Sequence, residues 1–264
     1  MNIFLHELRA YRKSIITWSV SMTALAVLYI FVYYGLGKDI EDFKIFVGNL
    51  PDVMKKAFNV YLDVITTLIG FYSFVLAFVA LCGAVQAMNM GTAIVSREVN
   101  DKTADFLLSR PVSREEILGS KLLAALAALV ITNVIYQALT IIASVSSGSD
   151  FDLKKFVMLS ATIFFIQLMF LALGTVISVI AGKIKSVLSV SLGAVFGLYI
   201  IGTLGEVIGE DVARYISPFR YFDAYYIINN SSYEASFVIT GSIFVLAAIA
   251  ASFVIYVKKD IHAV

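Results

Sequence analysis

Six apolar stretches, at residues 15–36, 64–90, 118–143, 156–181, 187–207 and 237–257, take up most of this chain. Each reaches the roughly 20 residues that a helix needs to cross a bilayer. In hydrocarbon every backbone N–H and C=O must find its partner inside the protein, and a helix satisfies them within one segment. None of the six holds Asp or Glu in its middle. Only 15% of the residues are charged and 60% are hydrophobic, against roughly 25% charged in a soluble domain. The expectation is an all-α, polytopic membrane protein with six transmembrane helices, folded as one contiguous bundle over residues 1–264.

One charged run interrupts this pattern. Residues 97–121, REVNDKTADFLLSRPVSREEILGSK, separate the second apolar stretch from the third. Asn100 and Asp101 are residue types that cap a new helix after a break. Ala104, Leu107 and Leu108 repeat at helical spacing, with Phe106 beside them. Pro111 pushes Arg110 out of helical geometry. Ser113 and Glu116 make a Ser-x-x-Glu capping box that opens the next helix. The order is helix, break, short helix, proline turn, helix. A flexible tether has no need of such punctuation, whereas a lever that transmits force does.

Over residues 98–121 the chain resembles the cytoplasmic loop of type-2 permeases of the ATP-binding-cassette superfamily. The residues that carry the likeness are Thr103-Ala104-Asp105-Phe106-Leu107-Leu108-Ser109, then Arg110-Pro111-Val112-Ser113-Arg114, Glu115-Glu116-Ile117-Leu118 and Gly119-x-Lys121. Looser similarity extends over all six stretches and includes Ser217-Pro218-Phe219-Arg220-Tyr221-Phe222 before the last. The resemblance implies an N-terminal amphipathic elbow helix and a cytoplasmic coupling helix between spans two and three. It implies that this coupling helix docks in a groove of a separate ATPase subunit, with a second permease subunit, identical or related, completing the assembly. On that reading Glu98, Asp101, Lys102, Asp105 and Arg110 set electrostatic register. Phe106, Leu107 and Leu108 supply buried contact, and Thr103, Pro111 and Ser113 shape the turns. The translocation path then lies between two such subunits, near their first and fifth spans.

The chemistry missing from the chain agrees with that division of labour. A phosphate-binding Walker loop needs Gly-x-x-x-x-Gly-Lys-Ser/Thr. Gly37-Lys38 and Gly182-Lys183 lack both the upstream glycine and the following hydroxyl. His6 and His262 sit at the termini, and there is no His-Glu-x-x-His or Gly-x-Ser-x-Gly. The chain is therefore expected not to be an enzyme and to bind no cofactor itself, with ATP and magnesium on the partner subunit. A formal net charge of +1 argues against a nucleic-acid partner. Cys82 is alone, so no intrachain disulfide forms. The N-terminus is too polar and too short for a cleavable signal before the first span.

Polar and small residues inside the spans leave two readings each. Asn133, Gln137, Thr140 and Ser144 form a stripe on the third span, with Gln86 and Asn89 on the second and Gln167 on the fourth. They line a pathway, or they bond helices together, at about 1 kcal/mol per contact. Gly193-x-x-x-Gly197 on the fifth span allows close backbone approach, within the chain or at a dimer seam. Phe4, Leu8, Tyr11 and Ile15 follow helical spacing through residues 2–13, as in a helix lying on a membrane surface. Residues 37–63 read as two short helices divided by Pro51. The segment 205–236 gathers Tyr215, Phe219, Tyr221, Phe222, Tyr225 and Tyr226 beyond Glu206. Either they form an interfacial belt, or short helices carry them into the outer leaflet, as the resemblance implies.

Orientation follows from Lys and Arg. Twelve of the twenty lie on the side with both ends and the 97–121 loop, crowded near span ends. That side is expected to face the cytoplasm, with the protein multi-pass in the cytoplasmic membrane. Three functions remain open at this point: a permease subunit that exports a substrate with a separate ATPase, a non-transporting scaffold or sensor, and an ATP-independent channel. The substrate is beyond the sequence.

Overall fold

The computed structural model describes residues 3–57, 60–100, 112–146, 148, 151–181, 183–209 and 211–258. Among these residues all regular structure is helical. In chain order the helices are α1 (Ile3–Ala10), α2 (Arg12–Leu36), α3 (Ile40–Gly48), α4 (Asp52–Ala57), α5 (Leu68–Asn100), α6 (Arg114–Ser146), α7 (Leu153–Ala181), α8 (Val187–Ile208), α9 (Asp211–Ile216), α10 (Ala224–Asn230) and α11 (Ala235–Lys258). Six of them, α2, α5, α6, α7, α8 and α11, are long and apolar enough to cross a membrane. They correspond one for one to the six apolar stretches.

Local chemistry explains where these helices start and stop. α2 ends at Gly37, whose φ of 40° suits a residue without Cβ. α5 starts at Leu68 and not at 64. Thr67 donates its hydroxyl to Val64 O (2.7 Å) and accepts from Gly70 N (3.1 Å), so it acts as the cap. The preceding turn folds over Gly70 so tightly that a Cβ there would lie 1.9 Å from Val64 O. At its other end α5 is helical through Asn100, ten residues past the apolar stretch and the last described residue before 112. Asp152 accepts from Lys154 N and Lys155 N at the start of α7. Ser186 caps α8, and Gly209 ends it in the left-handed conformation, φ 84°. At the N-terminus a turn at Tyr11 divides the amphipathic segment, so α1 is separate from α2.

The three consecutive spans α5, α6 and α7 form the inner layer, and α2, α8 and α11 lie around it. In the most apolar part of each helix, 78% of α5 and 61% of α7 is buried within the chain, against 17% of α8 and 11% of α11. The α5–α7 pair is the most extensive contact. It crosses at Gly91 and Gly174, where the two backbones meet: a Cβ on Gly91 would lie 2.4 Å from Leu171 O, and one on Gly174 2.8 Å from Met88 O. Nearby, Ser178 Oγ of α7 accepts from both Val95 N (3.0 Å) and Ser96 N (3.2 Å) of α5. Two apolar clusters fill the bundle. One is built around Met88, Leu118, Leu129 and Phe170, and the other around Tyr72, Tyr136, Phe156 and Leu159.

Candidate functional site

Polar and charged side chains gather at three depths. The first is the root of the loop. Asp101, Lys102, Thr103, Asp105, Phe106, Leu107, Leu108, Arg110 and Pro111 lie outside the described residues. Glu98 falls in the last turn of α5, and its side chain is likewise outside them. Ser113 is in place: its N–H donates to Glu116 Oε2 and its Oγ accepts from Glu116 N, both at 3.1 Å. This reciprocal pair is the capping box read from the sequence, and it sets where α6 begins.

One turn and a half further along α6, Lys121 is buried. Its Nζ reaches Glu7 Oε1 of α1 at 3.2 Å and donates to Ile94 O of α5 at 3.1 Å. A lysine at that depth requires a counter-charge and an acceptor, and here two other helices supply them. The amino-terminal helix is thereby tied to the ends of both helices that flank the loop. Arg114 Nη1 also approaches Val257 O of α11 at 3.5 Å. This clamp was not singled out from the sequence. The available signal was a single lysine inside an otherwise apolar stretch, which marks a group in need of a partner.

The second depth is the middle of the inner layer. Gln167 Nε2 donates to Gln86 Oε1 (3.2 Å), and Gln86 Nε2 donates to Thr132 Oγ1 (3.1 Å). Asn133 Nδ2 donates to Gln167 Oε1 and to Leu129 O. All four side chains are buried. Gln86, Asn133 and Gln167 are thus brought together and bond one another across α5, α6 and α7. A second knot missed by sequence reasoning lies in the other apolar cluster. There Tyr72 OH bonds both Tyr136 OH (2.6 Å) and Ser160 Oγ (2.8 Å). Gln137 lies half-buried outside both knots. Asn89 also stays apart and lines a cavity described below.

The third depth is the side opposite the loop. Glu206, near the end of α8, pairs with Arg220, and Arg214 pairs with Glu234. The Arg214 guanidinium sits 3.9 Å over the Phe237 ring. Asp223 caps α10 by accepting from Tyr225 N (2.7 Å) and Tyr226 N (3.1 Å), and it also accepts from Tyr61 OH at 3.4 Å. Burial, reinforced by the Asp223 charge, holds the Tyr61 phenol well above its usual pKa. Burial also pushes Tyr233 up to about 12, and its hydroxyl donates to Met158 O at 2.8 Å. Both phenols therefore remain donors at any physiological pH. The aromatic crowd divides. Tyr221 is buried, Phe219 and Phe222 pack inward on Phe170 and Phe165, and Tyr215, Tyr225 and Tyr226 stay exposed. The short helices expected before the last span are present as α9, a 3-10 turn at Pro218–Arg220, and α10.

Gly193 and Gly197 meet nothing: a Cβ on either would have no neighbour within 4 Å. Their face of α8 has no close partner among the described residues. Gly202, on the same helix, is the opposite case, with Ser217 Oγ at 2.5 Å from its would-be Cβ.

A cavity of about 470 Å³ opens between the end of α1, the start of α2, the loop end of α5 and the first residue of α8. Ala10, Tyr11, Ser14, Asn89, Met90, Ala93, Arg97 and Val187 line it. No group of three or more metal-ligating side chains occurs among the described residues.

Compared with known families, residues 1–261 match the model of a family described as ABC-2 family transporter protein. No individual curated protein matches the chain.

Proposed function

Since the chain belongs to the ABC-2 transporter family and carries six membrane-length helices, we propose that it is a permease subunit that exports its substrate across the cytoplasmic membrane, driven by a separate ATPase. The observation that carries the reading is the family match over residues 1–261, nearly the full 264-residue chain. In this proposal residues 1–264 form a single permease domain, and ATP and magnesium stay on the partner subunit.

The mechanism we propose is mechanical. ATP draws two ATPases together, and residues 97–110 move with them. Glu98, Asp101, Lys102, Asp105 and Arg110 hold the docking register, while Phe106, Leu107 and Leu108 bury against the partner. Displacement passes into α5 and α6, whose ends are set by the Ser113–Glu116 box and the Lys121 clamp. The open face of α8 at Gly193 and Gly197 receives a second permease subunit, identical or related, and the path runs between the two. α1 serves as an elbow at the membrane surface. Leu5 and Ile16 are exposed beside Arg9 and Arg12, a mixture that suits lipid tails below and headgroups above. In the resting conformation Gln86, Asn133 and Gln167 act as interhelical bonds, and Asn89 remains available to a substrate.

Two experiments test the reading. Phe106→Asp combined with Leu107→Asp is expected to abolish co-purification of the ATPase while the permease still inserts, and to remove ATP-driven flux in reconstituted vesicles. Normal co-purification would end the docking role. Flux by the wild-type chain without any ATPase would identify a channel. ATPase binding without flux of any substrate would identify a scaffold. Orientation is tested separately with single cysteines at Ser109 and Ser147 in a Cys82→Ala background. An impermeant reagent applied to intact cells is expected to label only the second. Labelling of both would overturn the six-span topology.

A further inference from the structure

Within the membrane-length helices, the fate of the amide side chains differs sharply. Gln86, Asn133 and Gln167 are consumed by mutual hydrogen bonds. Asn89, three residues beyond Gln86 on α5, is half-buried in the wall of the 470 Å³ cavity and has no side-chain partner among the described residues. Ser14 on α2, half-buried, and Arg97 on α5, exposed, line the same cavity, and neither has a side-chain partner among the described residues. Half-buried polar groups normally find a partner within the protein, so Asn89 and Ser14 stand ready for a ligand. Among the described residues Arg97 is the one charged side chain in the wall, and none of them that line it is a carboxylate. Tyr11 and Met90 add apolar surface. One cation, an amide, a hydroxyl and an apolar wall, at the membrane end of a helix bundle, form a receptor for an anionic group attached to an apolar body.

We propose that this cavity binds an anionic headgroup, phosphate or carboxylate, of an amphiphile taken from the leaflet on the loop side. Arg97 supplies the charge and a forked donor geometry suited to such oxyanions. Asn89 and Ser14 add hydrogen bonds, and the ligand's chains pass outward between α2 and α8. This rests on the permease reading and deepens it by naming the class of substrate or lipid regulator.

The test uses the purified full chain in detergent and needs no ATPase. Trp18 is the only tryptophan in the chain. It lies four residues after Ser14 on α2, hence on the same face one turn away, and reports on the cavity by its emission. Dihexanoyl phosphatidylglycerol is expected to produce a saturable change, and dihexanoyl phosphatidylcholine to bind at least tenfold more weakly. Arg97→Gln is expected to weaken the phosphatidylglycerol response on the order of tenfold, the usual loss for a hydrogen bond to a charged group. Arg97→Lys should fall between. Ser14→Ala with Asn89→Ala should weaken binding several-fold with Arg97 intact, an arm that does not depend on the arginine variant inserting correctly. Inorganic phosphate with matching affinity would trace the shared chemistry to a free anion, and its failure to compete would trace it to a lipid headgroup with its chains. Equal affinity for the two lipids, or an unchanged response in Arg97→Gln, overturns the proposal. Such a failure leaves the permease reading standing, because that reading fails only if ATP-driven flux is absent.

Discussion

Gly91→Val is expected to prevent the chain from reaching its folded state, and Gly91→Ala to cost about 3 kcal/mol. Overpacking in a core typically costs about 1–3 kcal/mol when flexible side chains can move aside. At Gly91 the obstacles are backbone atoms. A Cβ would meet Leu171 O at 2.4 Å, Thr175 N at 3.0 Å and Gly174 C at 3.1 Å. No rotamer change relieves those contacts, so α5 and α7 must separate. Separation would also stretch the Gln86–Gln167 bond and the two bonds from the α5 backbone to Ser178. The control is on α8. Gly193→Ala and Gly197→Ala place a methyl where nothing lies within 4 Å, and alanine is favoured over glycine in a helix by about 1 kcal/mol. Unfolding titrations of the four variants in detergent measure the difference. If Gly91→Ala unfolds at the same midpoint as Gly193→Ala, the close crossing of α5 and α7 is not what holds the inner layer together.

Glu7→Ala is expected to destabilise the protein by about 2–3 kcal/mol, and adding Lys121→Met is expected to restore most of the loss. The loss comes from the missing counter-charge. The Lys121 side chain is 6% exposed and that of Glu7 17%, so removal of the carboxylate takes a counter-charge from an ammonium in a mostly dry site. Breaking a buried pair from one side costs about 3–5 kcal/mol, whereas replacing both partners by apolar groups is often neutral. The partial exposure of Glu7 places this case below that range. The double mutant therefore separates a charge effect from lost packing: a double variant as unstable as Glu7→Ala would show that the pair is not coupled. The same variants bear on coupling, since the Lys121 ammonium joins α1 to both helices that flank the 101–111 loop. In the proposed assembly, Glu7→Ala should lower flux per ATP hydrolysed more than it lowers ATPase binding.

Much of the architecture was legible because it depends on local properties. Each apolar stretch is a run of neighbouring residues, and its length alone sets whether it can span hydrocarbon. The capping box is equally local: Ser113 and Glu116 are three residues apart, and the bonds seen at 3.1 Å are those the pattern calls for. Boundaries were less legible where polar residues continue a helix past its apolar part. α5 extends to Asn100 because Ser96 and Arg97 keep helical geometry beyond the greasy segment, and hydropathy is silent about that. The start of α5 was misplaced by four residues because a Thr67 cap outweighs the apolar run that includes Val64 and Ile65.

The same polar and small residues were visible in the sequence without their partners. Gln86 and Asn89 look alike as amides one turn apart on an apolar helix, yet one is bonded to Gln167 and the other faces a cavity. Gly193-x-x-x-Gly197 carries the recognisable spacing but packs against nothing among the described residues. Gly91 and Gly174 carry no motif, and they make the tightest crossing of the inner spans. Lys121 looked like one more cation near a span end. The number of membrane-length helices and most of their limits follow from composition and spacing along the chain, and the family was legible through the resemblance of residues 98–121. Which glycines touch, which amides are bonded and which charge is buried are properties of the packed bundle. Those outcomes depend on the rotation and depth of each helix relative to its neighbours, and these are set by the whole packed bundle and not by any one segment.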